Sequence, residues 1–193
     1  SHLIALQHCE AVGLMKAGTL STFVARVDAA EFGLCRAVNA LSGRAPMRRV
    51  FQLVSRLGNG VAWYALLLAL PLLRGPSAVR PALVMTFVGG VGMLLYSLLK
   101  HTLVRERPFI THSGISLHDA PLDRYSFPSG HTLHAVAFTW QAVAHVPELG
   151  WVLVPFTALV ATSRVVLGLH YPSDVLVGAG IGAILAQLGL ALG

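Results

Sequence analysis

The sequence contains few charged residues. Lysine, arginine, aspartate and glutamate make up only 11% of its 193 residues, whereas apolar types make up 55%. Its two cysteines, Cys9 and Cys35, lack the spacing of a metal site or a redox motif, so we expect two inert thiols in the protein core. There is no internal repeat and no low-complexity tract, which excludes a repeat architecture and favours one folded domain.

Two further absences concern targeting and partners. We expect no cleavable signal peptide, because Glu10 and Lys16 interrupt the apolar stretch that such a peptide requires. The net charge of +6 invites comparison with nucleic-acid-binding proteins, but the sequence provides no soluble basic face. A basic and apolar chain is better suited to anionic lipid headgroups. We therefore expect membrane lipids as partners and no nucleic acid; no feature of the sequence predicts an oligomeric state.

Long apolar runs dominate the remainder of the sequence. Residues 81–99 and 175–192 contain no charged side chain. As helices rising 1.5 Å per residue, they would cross most of the roughly 30 Å hydrocarbon core of a bilayer. Three further apolar segments complete a set of five predicted spans: residues 61–73, 131–146 and 151–163. The first of these is long enough only if it tilts little or includes residues 51–60. A large soluble helical core explains runs of this length less well.

The first 60 residues have a different pattern. Residues 23–41 mix charged and apolar side chains, and apolar residues recur at helical spacing between positions 50 and 57. This pattern predicts amphipathic helices in the membrane interface, with Arg44, Arg48 and Arg49 near lipid headgroups. The alternative is that residues 23–41 form an imperfect sixth span.

The predicted fold is all-α, an integral membrane helical bundle of five or six transmembrane helices with N-terminal amphipathic helices. Residues 1–60 would form the amphipathic part and residues 61–193 the transmembrane core. Three polar clusters fall at the ends of predicted spans: Lys100 with Arg107-Pro108, Pro128-Ser129-Gly130-His131, and Ser163-Arg164 with His170 and Asp174. If successive spans alternate in direction, all three clusters lie on one face of the membrane. Ionisable groups in such positions are costly and by default indicate function.

Each of the first two clusters also has an ordinary structural explanation. Lys100 and Arg107 can hold phosphate oxygens, but basic residues after a span often only anchor it at the interface. Residues 128–130 fit a tight turn into a helix, with Ser129 as N-cap and backbone N–H groups facing an anion. They fit an ordinary capped helix start equally well.

The third cluster is the most informative. Arg164 lies late in an apolar span, where an unpaired cation is costly. Asp174 follows His170 by four residues, so it can accept a hydrogen bond from one ring nitrogen and leave the other with its lone pair free, although structural His–Asp pairs are also common. His131 and His134 are one helical turn apart, but no third ligand lies near them in the sequence. We therefore assign His134 to packing or to support of the site rather than to zinc.

Together the three clusters resemble the full signature of the type 2 phosphatidic acid phosphatase superfamily. They match Lys-x6-Arg-Pro, Pro-Ser-Gly-His and Ser-Arg-x5-His-x3-Asp in order, over about residues 100–174. The resemblance implies that His170 is a nucleophile that forms a phosphohistidine, and that Asp174 orients it. It implies that His131 protonates the leaving group and then helps to activate water. It also implies a set of groups that hold the phosphate: Lys100, Arg107, Ser129, Gly130 and Arg164. Ser163 matches the signature without a defined role.

The resemblance implies a membrane lipid phosphatase of bacterial type. It would hydrolyse a phosphomonoester or diphosphate on a lipid such as phosphatidic acid, phosphatidylglycerophosphate or undecaprenyl diphosphate, as part of phospholipid or carrier-lipid metabolism. Three fixed cations can supply the charge neutralisation that metal ions provide in many phosphatases. Because Glu106, Asp119 and Asp123 have no clear ligand spacing, we expect no metal and no other cofactor. The alternatives are a lipid phosphotransferase that uses the same site and a non-catalytic lipid-binding or transport protein.

Three structural details complete the predictions. The glycines at 178, 180 and 182 should let the last span pack closely against a neighbour. Residues 111–125 should overhang the pocket. The relatives implied by the resemblance usually place their site outside the cytoplasm, here at the bacterial inner membrane. Arg74 and Arg80 in the short opposite loop favour that orientation under the positive-inside rule, whereas the basic N-terminal region opposes it.

Overall fold

The computed structural model describes residues 29–121 and 123–192 of the chain. Within these residues the regular structure is helical, and the β-structure is one isolated bridge between Glu106 and Tyr125. Predictions about residues 1–28, including the interrupted apolar stretch and Cys9, lie outside the described residues. Cys35 is a buried free thiol, in agreement with the expectation of an inert core cysteine.

Eight α-helices follow one another in the described part of the chain. They are α1 (residues 29–39), α2 (Ala45–Arg56), α3 (Ala62–Arg74), α4 (Val79–Thr102), α5 (Pro108–Thr111), α6 (Gly130–His145), α7 (Gly150–Val166) and α8 (Pro172–Leu192). Short 3₁₀ turns lie before α2, α4 and α7, at Ala40–Gly43, Pro76–Ala78 and Pro147–Leu149.

Four helical segments are long and apolar enough to cross a membrane. They are Ala45–Arg74, Pro76–Thr102, Pro147–Val166 and Pro172–Leu192. Helix α6, the remaining predicted span, has 16 residues and packs against α4, α7 and α8 in the middle of the bundle. Large apolar side chains such as Leu72 and Trp151 point outward and are more than 80% exposed. An apolar outer surface of this kind is suited to lipid. The predicted all-α membrane bundle is therefore confirmed.

Helix α2, which belongs to the predicted amphipathic region, continues into α3 and forms with it the first membrane-spanning segment, Ala45–Arg74. Helices α2 and α3 are joined by the π-helical turn Leu57–Val61, where Gly60 adopts a φ of 110° that favours glycine. The span predicted at residues 61–73 therefore extends backwards to include residues 51–60. Helix α2 is amphipathic: it buries Phe51, Val54 and Ser55 and packs against α7. The predicted division at residue 60 falls inside this turn and stays a prediction.

Close packing of α6 on α8 brings the second and third polar clusters together. A Cβ atom on Gly178 would lie 2.6 Å from the Ser129 carbonyl oxygen, and one on Gly182 would collide with the Leu133 carbonyl oxygen. Glycine at these two positions is therefore what allows the contact. The same prediction for Gly180 is wrong, because that residue has open space beside it.

Helix α1 is fastened to the loops near the polar clusters by Asn39. The Asn39 amide nitrogen donates hydrogen bonds of 2.9 Å to the carbonyl oxygens of Ser116 and Val166, and its Oδ1 accepts one from the Ser116 N–H. Asn39 is buried, so these contacts replace its hydrogen bonds to water. The N-terminal helix is thereby joined to the end of α7, where the third cluster begins.

Candidate active site

The three polar clusters meet at one cavity of about 340 Å³. Five of the side chains expected to act on phosphate line it: Lys100, Arg107, His131, Arg164 and His170. They come from the end of α4, the start of α5, the start of α6, the end of α7 and the turn before α8. Gly130 lines the cavity as well, whereas Ser129 and Asp174 lie buried behind it. The predicted meeting of the clusters at one end of the bundle is what the structure shows.

His170 lies in a tight reversal between α7 and α8. Gly168 makes the reversal possible with a φ of 78°, and the His170 N–H donates to the Arg164 carbonyl oxygen at 3.1 Å. The Nε2 atom of His170 is 3.3 Å from Nη1 of Arg107. Because a guanidinium can only donate, Nε2 is the acceptor and the ring proton belongs on Nδ1. The Nδ1 atom is 3.7 Å from Oδ2 of Asp174, slightly beyond hydrogen-bond distance.

The surroundings of His170 keep its ring neutral. Burial, together with the nearby Arg164 and Arg107 charges, lowers the pKa of His170 to about 4, against the opposing effect of Asp174. At neutral pH the ring is therefore a free base with its lone pair on Nε2. This is the protonation state that a nucleophilic histidine requires.

Asp174 lies in the first turn of α8 and is fully buried. Its Oδ2 accepts a hydrogen bond of 2.8 Å from the Tyr171 N–H, and its Oδ1 accepts one of 2.7 Å from Nη1 of Arg105. Asp174 therefore approaches His170 across the connection between α7 and α8, and the two residues do not lie on successive turns of one regular helix. Arg105 was not among the predicted site residues, although it lies in the same polar loop as Arg107.

Asp123 bridges the two cations of the first cluster. Its Oδ2 is 2.6 Å from Nζ of Lys100, and its Oδ1 is 2.9 Å from Nη2 of Arg107. Partial burial raises the pKa of the Asp123 carboxyl, but Lys100 and Arg107 outweigh burial and keep this pKa below its usual value. Arg107 also donates to the Leu169 carbonyl oxygen at 2.8 Å. A carboxylate therefore lies where these two cations would meet a phosphate.

Arg164 is the least compensated cation of the site. Its side chain is buried, yet no carboxylate of the described residues lies within ion-pair distance. Its Nη1 donates to Oγ of Ser55 at 2.6 Å, and this hydroxyl donates to Oδ2 of Asp119 at 2.8 Å. Its Nε has no hydrogen-bond partner in the described part of the chain. A buried guanidinium with an unused donor is a ready site for an anion.

The remaining motif residues have structural contacts. Ser129 is the N-cap residue of α6, as predicted, but its Oγ makes no hydrogen bond to the helix backbone and pairs with Oγ1 of Thr132 at 2.9 Å. The two ring nitrogens of His134 lie 2.8 and 3.1 Å from the carbonyl oxygens of Gly130 and Gly89, in keeping with a packing role. Ser163 donates back into its own helix.

The carboxylates near the site are already engaged by other side chains. Glu106 pairs with Arg124, Asp119 accepts from Ser55, and Asp123 pairs with Lys100 and Arg107. Among residues 29–121 and 123–192 there is no group of three histidine, cysteine, aspartate or glutamate side chains placed to hold a metal ion. Metal-independent activity stays a prediction that needs its own test.

Residues 79–192 match the family model of the PAP2 superfamily. They comprise α4 to α8 and all three polar clusters. The chain belongs to the PAP2 superfamily.

Named PAP2 relatives act on different lipids. The chain is 34% identical to undecaprenyl-diphosphatase BcrC of Bacillus subtilis over 60% of each sequence, so it spans well under the full length of that relative. It is 32% identical to decaprenylphosphoryl-5-phosphoribose phosphatase of Mycobacterium tuberculosis, over 78% of this chain and 82% of the relative. The crystal structure of Aquifex aeolicus LpxE superimposes with a TM-score of 0.72 at 26% identity, covering 82% of this chain and 93% of that one.

Helices α1 to α3 lie outside the segment that matches the PAP2 model, yet they contribute to the site. Ser55 of α2 holds Arg164, and Glu31 of α1 pairs with Arg105 at 2.7 Å. Neither residue stands out in the sequence, because each is one polar side chain in an amphipathic helix. Ser55 and its partner Arg164 are 109 residues apart in the sequence, and Glu31 and its partner Arg105 are 74 residues apart. Only the fold brings each pair together.

Proposed function

We propose that the protein is a lipid phosphatase that works through a phosphohistidine on His170. The observation that carries this proposal is the combination of a neutral His170, whose Nε2 faces Arg107, with a buried and underpaired Arg164 on the same cavity. A trigonal phosphoryl group needs an in-line nucleophile and cations on its equatorial oxygens. Lys100, Arg107 and Arg164 would supply the cations, and the Gly130 N–H at the start of α6 would add a backbone donor.

In the first step, Nε2 of His170 would attack phosphorus as the bond from phosphorus to the leaving oxygen breaks. His131 would take up a proton when the negatively charged phosphate binds beside it, and would give this proton to that oxygen. The substrate phosphate would take over the donor of Arg107 that now faces Nε2. Asp174 would accept a hydrogen bond from Nδ1–H and stabilise the positive charge that develops on the ring.

In the second step, water would attack the phosphorus of the phosphohistidine. His131, now neutral, would take a proton from the water while the bond from phosphorus to Nε2 breaks. Inorganic phosphate would then leave, with His170 neutral and His131 protonated again. Atoms and charge balance with water as the only co-substrate.

The shape of the cavity favours a lipid substrate. From its polar end the cavity extends between α3 and α4, where its walls include Tyr64, Leu67 and Met93. On α4, Gly90 lines the cavity and has open space where a side chain would start. An apolar chain can lie along this path while its phosphate reaches His170. Since two relatives are named for undecaprenyl and decaprenyl substrates, we place polyprenyl phosphates first, before phosphatidic acid and phosphatidylglycerophosphate.

We further propose that the site lies on the extracytoplasmic face of a bacterial inner membrane. Arg74 and Arg80 lie at the opposite end of the bundle from the cavity, where the positive-inside rule favours cytoplasm. Topology reporters fused at Gly75 and Ser113 test this orientation. We expect Gly75 to report as cytoplasmic and Ser113 as external, and a cytoplasmic Ser113 would overturn it.

Phosphate release from a panel of purified lipid phosphates in detergent tests the activity. The panel should contain undecaprenyl diphosphate, undecaprenyl phosphate, phosphatidic acid and phosphatidylglycerophosphate, each with and without EDTA. We expect release that EDTA does not reduce. No release from any substrate would favour the binding or transport alternative. Transfer of the phosphoryl group to an added lipid alcohol in preference to water would favour the phosphotransferase alternative.

A further inference from the structure

We propose that Arg105, held in place by Glu31 of α1, is the positioning residue for Asp174 and through it for His170. This inference rests on the proposed function for its kinetic test. Neither Arg105 nor Glu31 belongs to the three polar clusters, and neither lines the cavity. Their contacts nevertheless lead directly to the carboxylate behind the proposed nucleophile.

The guanidinium of Arg105 joins Asp174 to Glu31. Its Nη1 donates to Oδ1 of Asp174 and to Oγ of Ser173, each at 2.7 Å, and its Nη2 donates to Oε2 of Glu31 at 2.7 Å. The other oxygen of Glu31 accepts a hydrogen bond of 2.8 Å from the Ser173 N–H. Glu31 therefore holds both the arginine and the start of α8, where Asp174 lies.

Tyr171 fixes the plane of this arginine. The carbon at the centre of the Arg105 guanidinium lies 3.9 Å from the centre of the Tyr171 ring, and the Tyr171 hydroxyl pairs with Oγ1 of Thr111 at 2.6 Å. A guanidinium stacked on an aromatic ring has little freedom to turn. With Arg105 fixed, the Asp174 carboxylate is oriented with Oδ1 towards Arg105 and Oδ2 towards His170.

The buried charge of Asp174 needs this partner. Asp174 is fully buried, and within the described residues Arg105 is its one permanently charged ion-pair partner, since His170 is neutral. Removing one member of a buried pair leaves the other without compensation and free to rotate or to take up a proton. Either change would hinder Asp174, whose Oδ2 now lies 3.7 Å from Nδ1 of His170, from accepting a hydrogen bond from Nδ1–H during the reaction. The chemical step should therefore suffer, while the cations that hold phosphate stay in place.

Steady-state kinetics of R105A and R105K separate positioning from phosphate binding. We expect R105A to lower kcat by roughly 10²-fold, the scale of a small misplacement of reacting groups. KM, and Ki for inorganic phosphate as a competitive inhibitor, should change by less than about twofold. R105K keeps the charge and should recover part of the lost kcat. The matched control is R124A, since Arg124 pairs with Glu106 in the same loop but at the surface; it should behave as wild type.

A double-mutant cycle tests the assignment to Glu31. E31A should lower kcat by about tenfold, less than R105A, because Arg105 retains Asp174 and the Tyr171 ring. In the R105A background, E31A should have a smaller effect than in the wild type, because only the hydrogen bond from the Ser173 N–H to Glu31 is left to lose. The proposal would be overturned if the two losses in kcat multiply in full in the double variant. It would also be overturned if Ki for phosphate rises as kcat falls. Circular dichroism of each variant reports whether the bundle is intact.

A second measurement does not depend on turnover. Histidine ¹⁵N shifts in detergent micelles, assigned to residue 170 by comparison with H170A, report the ring tautomer. Wild type should carry its proton on Nδ1, because Arg107 faces Nε2, and R105A should keep that tautomer but change the ¹⁵N shift of Nδ1, because Asp174 would no longer be held beside it. An unchanged Nδ1 shift in R105A would overturn the inference even if the protein releases no phosphate. Absent phosphate release with the expected change in the Nδ1 shift would instead count only against the proposed function.

Discussion

Both ends of the bundle carry charged residues at the ends of helices, but these residues have different surroundings. At the end opposite the cavity, Arg74 pairs with Glu148 at 3.3 Å and both side chains are at least half exposed. At the cavity end, Arg107 and Arg164 are buried, only 2% and 3% exposed. Exposed ion pairs contribute little to stability. A buried cation, by contrast, is costly unless it is paired with an anion or hydrogen-bonded.

The difference between the two ends arises from the connections. Among the described residues, the connections at the opposite end are the short turns Pro76–Ala78 and Pro147–Leu149, so the side chains there point into the surroundings. At the cavity end the long loop from 103 to 129 folds back over the helix ends and brings Asp123 to Lys100 and Arg107. Basic residues at helix ends therefore anchor a span at one end and form a site at the other. Four paired substitutions test this contrast, each with a control at the opposite end.

The largest effect is expected for H170A. Loss of the proposed nucleophile should reduce phosphate release by roughly 10⁴-fold or more, as in other enzymes that lose a group forming a covalent intermediate. The control is H145A, because His145 is exposed in the last turn of α6 at the other end. Phosphate release is the measurement, and near wild-type release by H170A would show that the nucleophile is another residue.

The next largest effect is expected for R164K. Lysine keeps the charge but loses the planar fork and the free Nε donor, so kcat/KM should fall by about 10²-fold. R74K at the opposite end should leave kcat/KM unchanged, because Arg74 makes one exposed ion pair. Equal behaviour of the two variants would remove the distinction between anchoring and phosphate-binding arginines.

A smaller effect is expected for S55A, which removes the hydroxyl between Arg164 and Asp119. Loss of one hydrogen bond to a buried charged group should lower kcat/KM by about tenfold. S77A is the control, since the Ser77 hydroxyl contacts only the Arg74 carbonyl oxygen on the exposed opposite end. If S55A has wild-type kcat/KM, α2 does not support the site through this contact.

The smallest effect is expected for D123N. Removing the carboxylate that now lies between Lys100 and Arg107 leaves more positive charge for a phosphate, so inorganic phosphate should inhibit about fivefold more strongly. E148Q at the opposite end should not change the inhibition constant. Weaker inhibition in D123N would mean that Asp123 chiefly holds the two cations in position.

Periodicity and alternation of spans predict the bundle and the meeting of the three clusters. The order of Lys100, His131, Arg164 and Asp174 along alternating helices is enough to place them at one end. To predict which glycines pack against a neighbouring helix, the helical period is needed as well. Gly178 and Gly182 are four residues apart and share one face, whereas Gly180 lies on another face and meets no neighbour.

The supporting residues could not be predicted in the same way. Glu31, Ser55 and Arg105 are hydrogen-bonded to partners that lie 69 to 109 residues away, and no local pattern identifies them. Asp123 stood out only as a carboxylate without ligand spacing, and its position between two cations depends on how the loop folds. The chemical roles of the motif residues remain predictions until activity is measured.

The most direct test of the account is to trap the intermediate. The enzyme should be mixed with a ³²P-labelled lipid phosphate, quenched rapidly in alkali and digested, because phosphohistidine survives alkali and is lost in acid. We expect label on the peptide that contains His170, removed by acid and absent from H170A. Turnover of the labelled substrate without label at His170, or with label on another residue, would contradict the account.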